Sequence, residues 1–268
     1  DEVLIDGADV MDKEPVRLRR GIGYAIQHIG LFPHMTVAEN IAAVPRLLQW
    51  KEDRIANRVD ELLTLVGLEP DGFRERYPNQ LSGGQKQRIG VARALAADPP
   101  IVLMDEPFGA LDPITREQLQ SEFLELESEI MKTIIFVTHD VFEAVKMGDR
   151  VAILDAGRLQ QLARPAELID NPANEFVDSF LGQQRFQLSL LTQSIESLLR
   201  EGAGAPRQKD GEKHALRVRD SLVAALDLFK KTGLKELPVR RRKEFAGRLL
   251  KKDLLAEISR VLGEMESV

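Results

Sequence analysis

Two short stretches of this 268-residue chain carry residue types that do chemistry on phosphates. The first is Ser82-Gly83-Gly84-Gln85, which opens a run with Ile89, Ala92 and Leu95 at helical spacing, stopped by Pro99. A helix N-terminus presents free backbone N–H groups and the positive end of the helix dipole. Glycines let an anion approach that backbone closely. Ser-Gly-Gly at a helix start therefore suits a phosphate, although a Gly-Gly pair is also an ordinary turn. The second stretch is Asp105-Glu106, which directly follows the apolar run "IVLM" at 101–104. Folds of the α/β type place ligands at the C-terminal ends of buried strands. Asp105 there suits Mg2+, directly or through water, and Glu106 suits general-base work on an attacking water. The plain alternative is a surface acidic pair after a strand.

Residues 1–182 alternate strand and helix signals. "VLI" (3–5) and "IGYAI" (22–26) read as short strands. "TVAENIAAVPRLLQW" (36–50) reads as a helix with Thr36 and Glu39 as a capping box and Pro45 as an interruption. Residues 51–68 are amphipathic, with Ile55, Val59, Leu62, Leu63 and Val66 on one face and Gly67 at the end. "IVLM" (101–104), "TIIFV" (133–137) and "VAIL" (151–154) are unbroken apolar runs, which predicts strands buried on both faces. A helix from Asp112-Pro113 between the first two makes a βαβ unit, so the fold class of this part is α/β. "EGAGAPRQKDGEK" (201–213) reads as a linker. A strand–helix–strand–strand–helix pattern follows it.

Composition narrows the class of function. The chain is 43% hydrophobic and 30% charged, as in soluble globular proteins. No apolar run approaches the roughly 20 residues of a membrane span. Zero cysteines exclude disulfides and thiolate metal sites. A net charge of −6 argues against nucleic acid as the main partner.

With these residues in place the chain resembles the nucleotide-binding subunit of ABC transporters. "LSGGQ" (81–85) is similar to that family's signature, "IVLMDE" (101–106) to its Walker B strand with the catalytic Glu, and "FGALD" (108–112) to its D-loop. "VTHD" (137–140) is similar to the segment of the switch histidine, and "YAIQHIGLFPHMTV" (24–37) to the Q-loop. The resemblance implies a P-loop NTPase-like fold, ATP and Mg2+ as ligands, and two such subunits paired head to tail. It implies that Ser82, Gly83, Gly84 and Gln85 stabilise the γ-phosphate held by the partner. Asp105 and Gln27 would serve Mg2+, with Gln27 also reaching the attacking water. Glu106 would polarise that water, His139 would contact the γ-phosphate, and Asp112 would couple the two sites across the dimer. His28 and His34 read as loop residues.

No G-x-x-x-x-G-K-[ST] phosphate loop, the Walker A element, occurs in these residues. The chain also opens on a strand-like run without Met. The expectation is a family member entered just after its phosphate loop, inactive alone; the alternative is a non-catalytic partner that lends only Ser82–Gln85.

"RYPNQLSGGQKQRIGVARALAADPPIVLMDEPFGALDPITREQLQ" and "NPANEFVDSFLG" closely resemble the osmoprotectant branch of the family. That implies import of glycine betaine, choline, carnitine or proline, with polyamine or methionine import as the alternative. It also implies two transmembrane permease subunits, an extracytoplasmic solute-binding protein feeding them, and a peripheral place on the cytoplasmic face of the inner membrane. Residues 214–264, clearest in "VRDSLVAALDLFKKTGLKELPV", resemble one CBS motif. The expected domains are thus an ABC ATPase domain (1–182), a connecting segment (183–213) and a small α+β CBS-like regulatory motif (214–264). The basic run Arg240-Arg241-Arg242-Lys243 suggests contact with anionic lipid, against the plainer reading of a solvated hairpin. Rival functions are a DNA-repair or translation ATPase and a regulatory nucleotide-binding protein without catalysis.

Overall fold

The computed structural model describes residues 2–26, 30–109, 111–130, 132–199, 215–218, 220–241 and 244–266. The chain forms two compact units, Asp1–His139 and Asp140–Val268.

The first unit begins with β1 (Leu4–Ile5) and β2 (Ala8–Asp9), an antiparallel hairpin. Its turn is Asp6-Gly7, both at positive φ, a pairing suited to two-residue hairpin loops. Next come α1 (Pro15–Arg20), β3 (Ile22–Ala25), α2 (Val37–Leu47), α3 (Glu52–Leu65), α4 (Pro70–Phe73) and α5 (Gly83–Leu95). The unit closes with β4 (Ile101–Asp105), α6 (Pro113–Ile130) and β5 (Thr133–Val137). The strands β3, β4 and β5 form a parallel sheet in that order. Ala25 lies opposite Met104 and Asp105 opposite Val137, so the strands end together at one edge.

Local chemistry explains the helices. The Glu39 N–H donates to Thr36 Oγ1 (3.2 Å) and the Thr36 N–H to Glu39 Oε2 (2.7 Å), the expected capping box of α2. Pro45 does not interrupt α2 where it stands: the helix runs on to Leu47, although a proline there cannot donate the i→i−4 bond to the Ile41 carbonyl. In α3, Ile55, Val59, Leu62 and Leu63 are buried on one face, and Gly67 beyond its end takes φ +69°.

The sheet departs from the sequence expectation in one respect. One face, carrying Gly23, Ala25, Val102 and Met104, is buried. A Cβ at Gly23 would lie 2.2 Å from the Ala94 carbonyl oxygen, so α5 packs on that face at backbone contact. The other face is open: Ile135 and Val137 on β5 are each 53% exposed, and Tyr24 is 51% exposed. An apolar run identifies a strand, but tertiary cover decides whether both of its faces are buried.

The second unit contains α7 (Val141–Met147), β6 (Val151–Asp155), β7 (Arg158–Ala163), α8 (Pro165–Asp170), α9 (Glu175–Leu181) and α10 (Arg185–Thr192). It continues with β8 (Leu216–Arg217), α11 (Leu222–Thr232), β9 (Glu236–Arg241), β10 (Glu244–Leu250) and α12 (Lys251–Glu266). Strands β6 and β7 form a hairpin through Ala156 and Gly157, both at positive φ. In the tail sheet β9 lies between β10, antiparallel, and β8, parallel. One core gathers Val151, Ile153, Leu168, Val177 and Leu181; a second gathers Leu222, Phe229, Leu237, Val239 and Leu249. Helix α10 supplies Leu188 to the first core and Leu190 to the second, so this part of the 183–213 segment is structured and load-sharing. The Gly/Pro-rich stretch 201–213 lies outside the described residues. In the basic hairpin, Arg241 pairs with Glu196 and Arg248 with Glu236, each at 2.7 Å, while Arg242 and Lys243 lie outside the described residues. Those two acids neutralise charge that the lipid reading needs. Among the described residues no helix is long and apolar enough to cross a membrane.

Candidate functional site

The parallel register of β4 and β5 assembles the acidic group. Asp105 is the last residue of β4 and is half-buried. Glu106 follows at φ +43°, a conformation that costs a non-glycine residue about 1 kcal/mol or more. Two backbone bonds hold it there: its N–H donates to the Val137 carbonyl (2.9 Å), and its carbonyl accepts from the Gly109 N–H (3.1 Å). His139 stands two residues beyond the end of β5, and its Nδ1 is 2.9 Å from Glu106 Oε1. The Glu106 side chain is 24% exposed and that of His139 76%. Gly109 makes room beside them, because a Cβ there would lie 3.2 Å from Glu106 Oε2.

A second group forms where α5 and α6 begin. Ser82 caps α5: the Gln85 N–H donates to Ser82 Oγ (3.3 Å) and the Ser82 N–H to Gln85 Oε1 (3.0 Å). The role of Gln85 is therefore visible in the chain itself, as the other half of a capping box. Ser82 and Gly83 are exposed. A Cβ on Gly83 would meet nothing nearer than Leu111 Cδ2 at 3.8 Å, whereas one on Gly84 would lie 3.0 Å from Thr115 Cγ2. Gly84 is thus needed for packing against α6, while the open side of Gly83 leaves room for a ligand. Asp112 accepts from the Thr115 N–H (3.1 Å) and starts α6. The bonds from Thr115, side chain first and then backbone, hold the Asp112 carboxyl below its ordinary pKa.

Gln27 and His28 lie outside the described residues. The loop that follows them is held by groups that no motif announces. Asn40, fully buried on α2, accepts from the Phe32 N–H (2.7 Å) and donates to the carbonyls of Phe32, Met35 and Thr36. Arg93 on α5 donates to the Gly30 carbonyl (2.7 Å), and burial lowers the pKa of its guanidinium. No sequence pattern points to Asn40, whose partners are backbone groups of the loop that enters α2.

Among the described residues no three or more His, Asp or Glu side chains are grouped to hold a metal ion. Mg2+ in phosphate sites takes one or two carboxylates and draws its remaining oxygens from phosphate and water. A half-buried Asp105 at a strand end fits that mode of binding; an all-protein cage does not. The arrangement as a whole presents a carboxylate–imidazole pair at a sheet edge and a glycine-opened helix N-terminus, both suited to phosphate chemistry.

Comparison with known proteins gives the same picture. Residues 1–109 match the family described as ABC transporter. The Bacillus subtilis (strain 168) glycine betaine/carnitine/choline transport ATP-binding protein OpuCA is 58% identical over 183 residues, covering 68% of this chain and 48% of that protein. The Escherichia coli (strain K12) glycine betaine uptake system ATP-binding protein YehX is 46% identical over 239 residues, covering 89% of this chain and 75% of that one. The ADP- and Pi-bound dimer of the ATP-binding cassette MJ0796 superposes with a TM-score of 0.52 at 35% identity, over 61% of this chain and 72% of that one. The chain spans about half the length of OpuCA and similar relatives. With YehX related over three quarters of its own length, this chain belongs to the ABC transporter ATP-binding family.

Proposed function

We propose that this chain is part of an ATP-hydrolysing subunit that powers import of glycine betaine, choline, carnitine or proline through two membrane permease subunits. An extracytoplasmic solute-binding protein would deliver the solute, and the subunit would work as a homodimer on the cytoplasmic face of the inner membrane. The observation that carries the reading is the Glu106–His139 pair at the end of β4 and β5, together with the Ser82-capped start of α5. The names of its relatives favour the osmoprotectants as solutes. Residues 1–182 would form the ATPase domain and 214–264 a CBS-like regulatory motif.

Each group has a task on this reading. Glu106 takes the proton of the attacking water as the water oxygen bonds to the γ-phosphorus of ATP and the bond from that phosphorus to the bridging oxygen breaks, with ADP as the leaving group. Mg2+ held by Asp105 and Gln27 would neutralise charge on the phosphates. A Glu106 carboxylate can only accept, so on this reading His139 Nδ1 is the donor and a neutral ring carries its lone pair on Nε2. Nε2 is the ring nitrogen left for a phosphate oxygen, and it can hold one only as an N–H donor. Ser82, Gly83 and Gly84 offer hydroxyl and backbone N–H groups to the partner's γ-phosphate, and Gln85 holds Ser82 in place. Asp112 links the two sites. These 268 residues contain no phosphate loop, so turnover needs one from outside them and the assembled transporter is the preparation to assay.

The test is ATP-dependent uptake into vesicles bearing that transporter. Labelled glycine betaine or choline should accumulate, and spermidine and methionine should not compete. Uptake of a polyamine or methionine with no betaine uptake would move the chain to another branch, and failure to assemble with permeases would remove transport altogether.

A further inference from the structure

Arg88 lies on α5, six residues beyond Ser82, with only 19% of its side chain exposed. It bonds to two other elements. Its Nη1 donates to the Val66 carbonyl (3.0 Å), just past the end of α3. Its Nη2 reaches both carboxylate oxygens of Glu122 on α6, at 2.9 and 2.7 Å. Glu122 is itself held by Gln118 Nε2, one turn earlier on α6, at 3.0 Å. Gly67 makes space for the guanidinium: a Cβ there would lie 2.8 Å from Nη1.

These groups face a cleft of about 580 Å3 between α3, α5 and α6. The starts of α5 and α6 touch directly, Gly84 against Thr115. Farther along, the cleft opens between the helices, and the Arg88 side chain spans it.

We propose that Arg88 is a positioning residue, anchored by Glu122. It fixes the angle between α5 and α6, and so holds the Ser82 end of α5 and the Asp112 start of α6 as one rigid piece. Its catalytic consequence rests on the function proposed above; its mechanical consequence does not. A partly exposed ion pair adds little stability, so the pair's effect lies in geometry. A guanidinium can address Val66 and Glu122 at once through its planar fork, and an ammonium cannot. A displacement of about 1 Å at a phosphate-binding end can cost roughly 100-fold in rate.

The experiment is hydrogen–deuterium exchange on the full chain, comparing wild type with Arg88→Lys, Glu122→Gln and the swap Arg88→Glu/Glu122→Arg. The reporters are the amides of Gln85 and Lys86, bonded to Ser82, and of Thr115 and Arg116, bonded to Asp112. Either single substitution should speed exchange at these four by about tenfold, and the swap, which re-forms the ion pair but leaves the Val66 carbonyl without its donor, should restore protection only in part. Faster exchange confined to residues 65–68 and the neighbours of Arg88 would overturn the proposal. In the assembled transporter Arg88→Lys should lower kcat by at least about tenfold while KM for ATP stays within about twofold; an unchanged kcat would also overturn it. A wild-type transporter without ATPase activity would refute the function, and the exchange result would still decide the role of Arg88.

Discussion

His139 Nδ1 lies 2.9 Å from Glu106 Oε1, joining the residue after β4 to the second residue after β5. The two are far apart in sequence and meet because Asp105 pairs with Val137 in the parallel register. The backbone strengthens the pairing, since the Glu106 N–H bonds to the Val137 carbonyl. A slip of one residue would turn every side chain to the other face of its strand and separate the pair. The site therefore depends on the sheet, and the βα loops only finish it.

Gly83 and Gly84 should separate function from packing. Gly83→Ala meets no atom nearer than 3.8 Å, so its melting temperature should match wild type, while ATP-driven dimerisation in the assembled ATPase should weaken. Gly84→Ala presses on Thr115 at 3.0 Å and should lose about 1 kcal/mol of stability. Thermal unfolding of both variants, with sizing in ATP, distinguishes them; equal melting losses would contradict the assignment.

Ser82→Ala removes the α5 cap and should cost about 1 kcal/mol in urea unfolding. Ser82→Asp should regain that stability, because aspartate also caps, yet it should not regain activity, because its charge repels phosphate. An active Ser82→Asp variant would mean that this end of α5 never meets an anion.

Asn40→Ala removes the acceptor of the Phe32 N–H and the donor to the Met35 carbonyl, while the Phe32 and Thr36 carbonyls keep backbone N–H partners, and should cost about 1–3 kcal/mol. Chemical denaturation measures the loss. A cost below about 0.5 kcal/mol would show that water replaces those bonds.

Asp98 gives a pH signature. The Lys132 ammonium at 2.7 Å holds its carboxyl below the ordinary carboxylate pKa. A group depressed on folding stabilises above its unfolded pKa, near 3.9, and loses that contribution as pH falls through the folded value. The side chain is 63% exposed, so the contribution is at most about 1 kcal/mol. Asp98→Asn keeps a residue tolerant of the φ of +54° found here. It should lower stability at pH 7 and leave it unchanged near pH 2. An equal loss at both pH values would assign the effect to something other than charge.

What the sequence makes legible is local or motif-borne. The α2 capping box, the α3 face, the Ser82 cap and the Asp105-Glu106 strand end all follow from short-range chemistry. The Asp6-Gly7 turn carries the usual residues, yet its partner β2 is too short to stand out; the Ala156-Gly157 turn has only its glycine to signal it, and β7 is too polar. The open face of β5 was not legible, because an apolar run does not say what covers it. Arg88, Asn40 and Arg93 were missed for a related reason. Each acts on groups remote in the chain or on backbone carbonyls, and neither kind of partner leaves a pattern in sequence.

The central claim is that Glu106 works on ATP. The most direct measurement is ATP turnover by the assembled transporter carrying Glu106→Gln, with nucleotide binding followed in parallel. The account predicts turnover reduced at least about 100-fold, with ATP still bound and the dimer held closed. Turnover at the wild-type rate would contradict it, and would leave the Glu106–His139 pair a structural contact at the edge of the sheet.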